Sequence, residues 1–147
     1  MSKVYADAQT LADVILRDCG PSLVAGLPLG LGKANHIVNA LCERTAADLT
    51  IRLTIFTALT LEKPRPKSEL ERRFIGPVIE RLFGGYPDLD YVKWLHAGTL
   101  PPNIEVSEFF LLAGQWLHHG YAQQHYIAAN YTHAVAGMLT RGLNVVL

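Results

Sequence analysis

Apolar positions recur along this chain with two periods, and the switches between them mark out alternating helices and strands. From 7 to 18, Ala8, Leu11, Ala12, Val14 and Ile15 are spaced for one helix face, with Asp13, Arg17 and Asp18 between them. Gly20-Pro21 ends that run. Residues 22–26 read as a short apolar strand, followed by the glycine-rich stretch Leu27-Pro28-Leu29-Gly30-Leu31-Gly32. Lys33 onward turns helical, with Ile37, Val38 and Leu41 on one side and Glu43 and Arg44 on the other. Across 48–57, Leu49, Ile51, Leu53 and Ile55 alternate with Thr50, Arg52 and Thr54, the period of a strand. Strand, loop, helix and strand in this order make a β-α-β unit with a parallel, right-handed crossover.

Beyond a basic, proline-rich link at 63–67, Ser68 and Glu71 form a capping box for a helix. Its apolar face would hold Leu70, Phe74, Ile75, Val78, Ile79 and Leu82, and Gly76-Pro77 should kink or restart it. A short helix over 88–96 carries Leu89, Val92 and Leu95, and 98–103 is a loop. Ser107 is expected to cap a further helix with Phe110, Ala113, Trp116 and Leu117 facing the core. Thr132 is expected to cap the last helix, where Val135, Met138 and Leu139 point inward up to Gly142. The run Leu143-Asn144-Val145-Val146-Leu147 then starts a buried strand. So short a strand is a poor end for a domain, so residues 1–147 are expected to be the front part of a longer protein. The pattern as a whole predicts an α/β layer structure whose parallel sheet is incomplete within this chain.

Composition narrows the classes. With 147 residues, half of them hydrophobic and 18% charged, the chain is long enough to bury one real core. Net charge is zero, so nothing marks a nucleic-acid or anionic-membrane partner. Cys19 and Cys42 are too few and too far apart for a disulfide framework or a zinc knuckle. Neither a signal peptide nor a membrane span is legible, and a cytoplasmic location is expected. Charge is unevenly spread: from Pro101 to Leu147 only Glu105, Glu108 and Arg141 are charged. Such a segment suits the core, a surface covered by further sequence, or a dimer interface.

The glycine loop is the strongest chemical signal. It lies outside the carboxyl end of a strand and at a helix start, where α/β sheets place ligands and where an anion is favoured. A Walker loop is excluded because Leu27 stands where its first glycine belongs and Ala34 follows Lys33. A dinucleotide fingerprint fails at Asn35, where its third glycine belongs. The six histidines show no zinc spacing, and His118-His119, read as neighbours on a helix, point different ways. His133 stands out because it belongs to the polar cluster Asn130-Tyr131-Thr132-His133 at a helix start. No carboxylate is expected in an apolar setting, which argues against a complete active site in these residues.

Several stretches together resemble the N-terminal part of the acetyl-CoA hydrolase/transferase family. They are Pro28-Leu29-Gly30-Leu31-Gly32-Lys33-Ala34-Asn35-His36, Asn39-Ala40-Leu41, Ile55-Phe56-Thr57-Ala58-Leu59-Thr60-Leu61, Leu100-Pro101-Pro102-Asn103-Ile104 and Asn130-Tyr131-Thr132-His133. The resemblance runs from about Gly26 onward. It implies a three-layer α/β/α fold with an open, mainly parallel sheet, of the NagB/RpiA/CoA-transferase-like kind. It also implies an acyl-CoA and a small carboxylate as substrates, coenzyme A as substrate rather than resident cofactor, and no metal. Catalysis would run through an acyl-glutamyl anhydride and a glutamyl-CoA thioester. The glutamate would belong to a second, C-terminal half, so no catalytic residue is expected here. By the same resemblance Gly30, Gly32, Lys33 and Asn35 would bind or polarise the acyl or CoA moiety, with Asn130 and His133 beside them. Two other readings stay open: a non-catalytic anion or small-molecule-binding domain, and a homodimerisation module.

Overall fold

A computed structural model describes residues 3–60, 62–110, 116 and 118–147, and for Leu31 the backbone alone. Four parallel strands form one sheet: β1 (Ser22–Gly26), β2 (Arg52–Thr57), β3 (Ile104–Glu108) and β4 (Val145–Val146), in the order β3-β2-β1-β4. The helices are α1 (Ala8–Cys19), α2 (Asn35–Ala47), α3 (Glu69–Phe83), α4 (Asp90–Ala97), α5 (Gly120–His125) and α6 (Tyr131–Thr140). This is an α/β fold with a wholly parallel sheet. Among the described residues no helix is long and apolar enough to cross a membrane.

Register explains the two cores. Leu23, Leu53 and Ile104 align across the sheet, as do Ala25, Ile55 and Val106, and alternation sends both rows to one face. There they meet Ala12, Val38, Leu41, Tyr91, Val92, Leu95 and Trp116 in the main core. On the opposite face Phe56 packs with Phe109 and Ala134, beneath Met138 of α6. A Cβ at Gly26 would stand 3.0 Å from the Leu143 side chain and 3.4 Å from that of Met138, so the missing side chain lets α6 and its exit close onto β1.

The helix-to-strand junction at the end of α6 forms as expected. Gly142 is left-handed at φ +78°, its N–H reaching Leu139 O and that of Leu143 reaching Met138 O, the two bonds of a Schellman motif. Val145 then pairs with Ala25 and Val146 with Gly26.

Several expectations need correction, one being that Val135 and Leu139 of α6 point inward, since both are exposed. Ser107 caps no helix: it lies inside β3, paired with Phe56, because the edge of β2 offers a complete ladder to Ile104–Glu108. Of the residues assigned to that helix, Trp116 is buried, Phe110 is exposed, and Ala113 and Leu117 lie outside the described residues. His118 and His119 do not share a helix, since His118 is in a turn and His119 is the N-cap of α5. The last helix is capped by Asn130, whose Oδ1 accepts from His133 N at 3.2 Å, while Thr132 sits in the first turn.

α3 departs most. It runs unbroken through Pro77, and none of its residues is buried. Proline removes one helical hydrogen bond, but water reaches the carbonyl left over on so exposed a helix. Of the six residues expected to face the core, Leu70, Phe74, Val78 and Leu82 are exposed, Phe74 to 83%, and Ile75 and Ile79 are half-buried.

Candidate functional site

The strand order reverses beside β1: β2 and β3 lie on one side of it and β4 on the other. In open α/β sheets the crevice at the carboxyl ends of such strands is where ligands bind. The loop after β1 and the starts of α2 and α6 lie along this edge, because both helices run against the strands. All six residues singled out from the sequence, Gly30, Gly32, Lys33, Asn35, Asn130 and His133, therefore share it.

Their individual settings differ. Gly30 takes φ +53° and donates its N–H to Leu59 O at 3.2 Å, while Gly32 N–H donates to Leu29 O at 3.1 Å. Both amides are thus committed, that of Gly32 within the turn and that of Gly30 to the segment leaving β2. Asn35 is buried; its Nδ2 donates to Pro87 O at 2.8 Å and its Oδ1 accepts from the Tyr86 hydroxyl at 3.1 Å. That single proton is shared with Lys33 O. Asn130 and His133 are exposed at the start of α6.

Lys33 is the most constrained of the set, with 3% of its surface exposed. Its Nζ donates to Ala58 O at 2.7 Å and to Leu59 O at 3.4 Å, tying the glycine loop to the segment that leaves β2. Leu59, which receives both Lys33 and Gly30, takes φ +46°. A non-glycine residue there costs on the order of 1 kcal/mol, strain of the kind that collects at functional sites. Burial pulls the Lys33 ammonium down to about 8, against the pull of Glu108, whose charge favours the protonated form.

Glu108 is the residue that the sequence reading missed. In β3 it shares the core face with Ile104 and Val106, and it pairs with Thr57 at the carboxyl end of the ladder. Its Oε1 accepts from the Thr60 hydroxyl, and Thr60 in turn stands 3.0 Å from the Tyr91 hydroxyl. Its Oε2 is inaccessible and, among the described residues, has no hydrogen-bond partner. Burial pushes this carboxyl above the usual range; the Thr60 hydrogen bond and the Lys33 charge pull the other way. The chain therefore does hold a desolvated, half-buried carboxyl, set among the Thr60 and Tyr91 hydroxyls and the Lys33 charge. Period-two alternation in Ile104-Glu105-Val106-Ser107-Glu108 was the available signal, masked by reading Ser107 as a cap.

Chemically, the edge offers a buried cation, a half-buried carboxyl of raised pKa and a buried hydroxyl pair, brought together by the exits of three strands and by α4. Groups perturbed by burial and by each other mark functional sites. Among the described residues no three His, Cys, Asp or Glu side chains cluster to hold a metal ion. Cys42 is buried, its thiol pushed up to about 12 chiefly by burial, which removes its nucleophilicity. Set against protein-family models, curated proteins and solved structures, the chain has no match in any of the three.

Proposed function

We propose that the chain is the first α/β half of an acyl-CoA hydrolase or CoA-transferase, shaping a cleft for acyl-CoA whose nucleophilic glutamate comes from a second half. One observation carries the reading: three of the stretches that resemble that family, 28–36, 55–60 and 130–133, meet on the carboxyl edge of the sheet at the reversal of strand order. The stretch 100–104 enters β3 from the opposite edge, where Asn103 Nδ2 donates to Thr45 O at 2.6 Å and Ile51 O at 2.9 Å, a structural role.

In this reading Lys33 acts through its field and by anchoring the loop, since its ammonium is aimed inward at Ala58 O. The Gly30 and Gly32 amides set the shape of the turn rather than bind an oxyanion. At the exposed rim, the His133 ring and the Nδ2 of Asn130, whose Oδ1 caps α6, would meet substrate.

The test uses the protein as encoded, with any sequence that continues past Leu147. Incubation with acetyl-CoA followed by borohydride should reduce a single glutamyl thioester, located by peptide mass outside residues 1–147. Acyl-CoA turnover without a trapped carboxylate, or a trap at Glu108, overturns the reading.

A dimerisation role draws on a separate observation: Tyr131, Val135 and Leu139 form an exposed apolar stripe on α6. It predicts self-association that a lysine at position 135 abolishes.

A further inference from the structure

The apolar stripe on α3 is a ridge. Leu70, Phe74, Val78 and Leu82 follow one another at intervals of four, so they line up along about three turns of helix, and each is more than half exposed. Ile75, Ile79 and Phe83 of the same helix are half-buried. The helix therefore leans on the protein with one side and holds the ridge out to solvent with another.

Positive charge gathers around this ridge. Residues 63–81 hold six of the chain's thirteen Lys and Arg but only three of its thirteen Asp and Glu. The zero net charge of the whole chain thus conceals a basic segment set against an acidic remainder. One of the three acids, Glu69, is taken up within the helix: it accepts from Arg72 at 2.7 and 2.8 Å and from Arg73 at 3.0 Å. Arg81 lines a shallow groove with Pro77, Val78 and Leu82 at one end of the ridge. Lys67 stands immediately before the Ser68 cap at the other. Among the described residues neither Lys67 nor Arg81 is in an ion pair. The stripe on α6 has no such setting, since that helix contains no Lys, Arg, Asp or Glu.

We propose that α3 and the basic link before it dock on an anionic lipid bilayer, the ridge entering between the headgroups and Lys67 and Arg81 lying at the level of the phosphates. An apolar face flanked by cations is what an interfacial helix presents to lipid, and each basic side chain near an anionic surface adds to the attraction. A second copy of the chain fits less well, because it would set two basic segments against each other. The assignment is independent of the acyl-CoA reading.

The test is co-sedimentation of the full chain with vesicles of phosphatidylcholine, with and without phosphatidylserine at about 30%. The expected result is binding to the anionic vesicles, about tenfold or more weaker on the neutral ones and weakened by added salt. F74S should weaken it about tenfold or more, through the loss of one large apolar side chain from the lipid. K67Q/R81Q, which leaves the ridge intact, should weaken it about twentyfold on anionic vesicles and hardly at all on neutral ones. No binding to anionic vesicles, equal binding to neutral ones, or binding untouched by F74S overturns the proposal. So does self-association in sedimentation velocity that F74S abolishes, which would put a second copy on the ridge. A loss of stability in F74S as large as that in L53A overturns it too, by putting other sequence of the protein there.

Discussion

The Thr60 hydroxyl lies 3.0 Å from that of Tyr91 and donates its own proton to Glu108, so the Tyr91 proton points to Thr60. Thr60 is 1% exposed and Tyr91 equally so. A hydroxyl has one proton to give, which fixes the direction of the chain from Tyr91 through Thr60 to the carboxyl. Burial pushes the Tyr91 phenol far above its ordinary range, so it stays protonated and can serve as the donor. T60V removes the link and leaves two buried groups unpaired, at an expected cost of about 1–3 kcal/mol in urea denaturation. Adding Y91F to T60V should recover part of that loss, a coupling that a double-mutant cycle measures.

Lys33 makes stability depend on alkaline pH. Its folded value of about 8 lies below the ordinary 10.5. Between the two, the unfolded chain holds a proton that the folded chain has released, so stability rises with pH across that window. Below about 8 the penalty of the buried charge is fully present. The wild-type-minus-K33M difference in unfolding free energy should therefore shift in favour of wild type from pH 7 to pH 10, by at most about 3 kcal/mol. A flat difference would show that the ammonium is not desolvated.

Glu108 has the opposite sense. Burial raises its folded value above the ordinary 4.5, so its contribution falls as pH rises from there through the raised value. E108Q keeps an acceptor for Thr60 and removes the charge. It should gain stability relative to wild type as pH climbs from 4.5 to 7. It should also move the Lys33 titration below about 8, because Glu108 is the charge that holds Lys33 up. Both effects are read from denaturation midpoints over a pH series.

The apolar stripe on α3 should matter little to the fold. F74S, at a site 83% exposed, is expected to change stability by no more than about 0.5 kcal/mol. L53A, in the buried row of β2, should cost about 2–5 kcal/mol. If F74S costs as much as L53A, the stripe is covered in solution; sedimentation velocity of the two variants then shows whether a second copy covers it.

Asn144 ties the last strand to the first. Its Oδ1 accepts from Val24 N at 2.8 Å and its Nδ2 donates to Ser22 O at 2.9 Å. N144A should cost about 1–2 kcal/mol and speed amide exchange at Val24, which loses its acceptor.

Local pattern alone determined α1, β1, α2 and β2, since each carries its period and its stop signal within a dozen residues. It also marked the glycine loop and the junction at Gly142, where turn chemistry is local. Neighbours decided the rest. Ile104–Glu108 becomes a strand because β2 presents an open ladder beside it, and only that pairing turns Glu108 from a helix-start residue at the surface into a half-buried carboxyl facing Thr60. Leu70, Phe74, Val78 and Leu82 show why periodicity specifies a face but not its partner. The helix forms with its stripe aligned, and none of its residues is buried among the described part of the chain. Lys33 stands beside a helix start, yet its ammonium turns inward to Ala58 O and Leu59 O, brought close by the exit of β2, and these two carbonyls do not make good the hydration it loses.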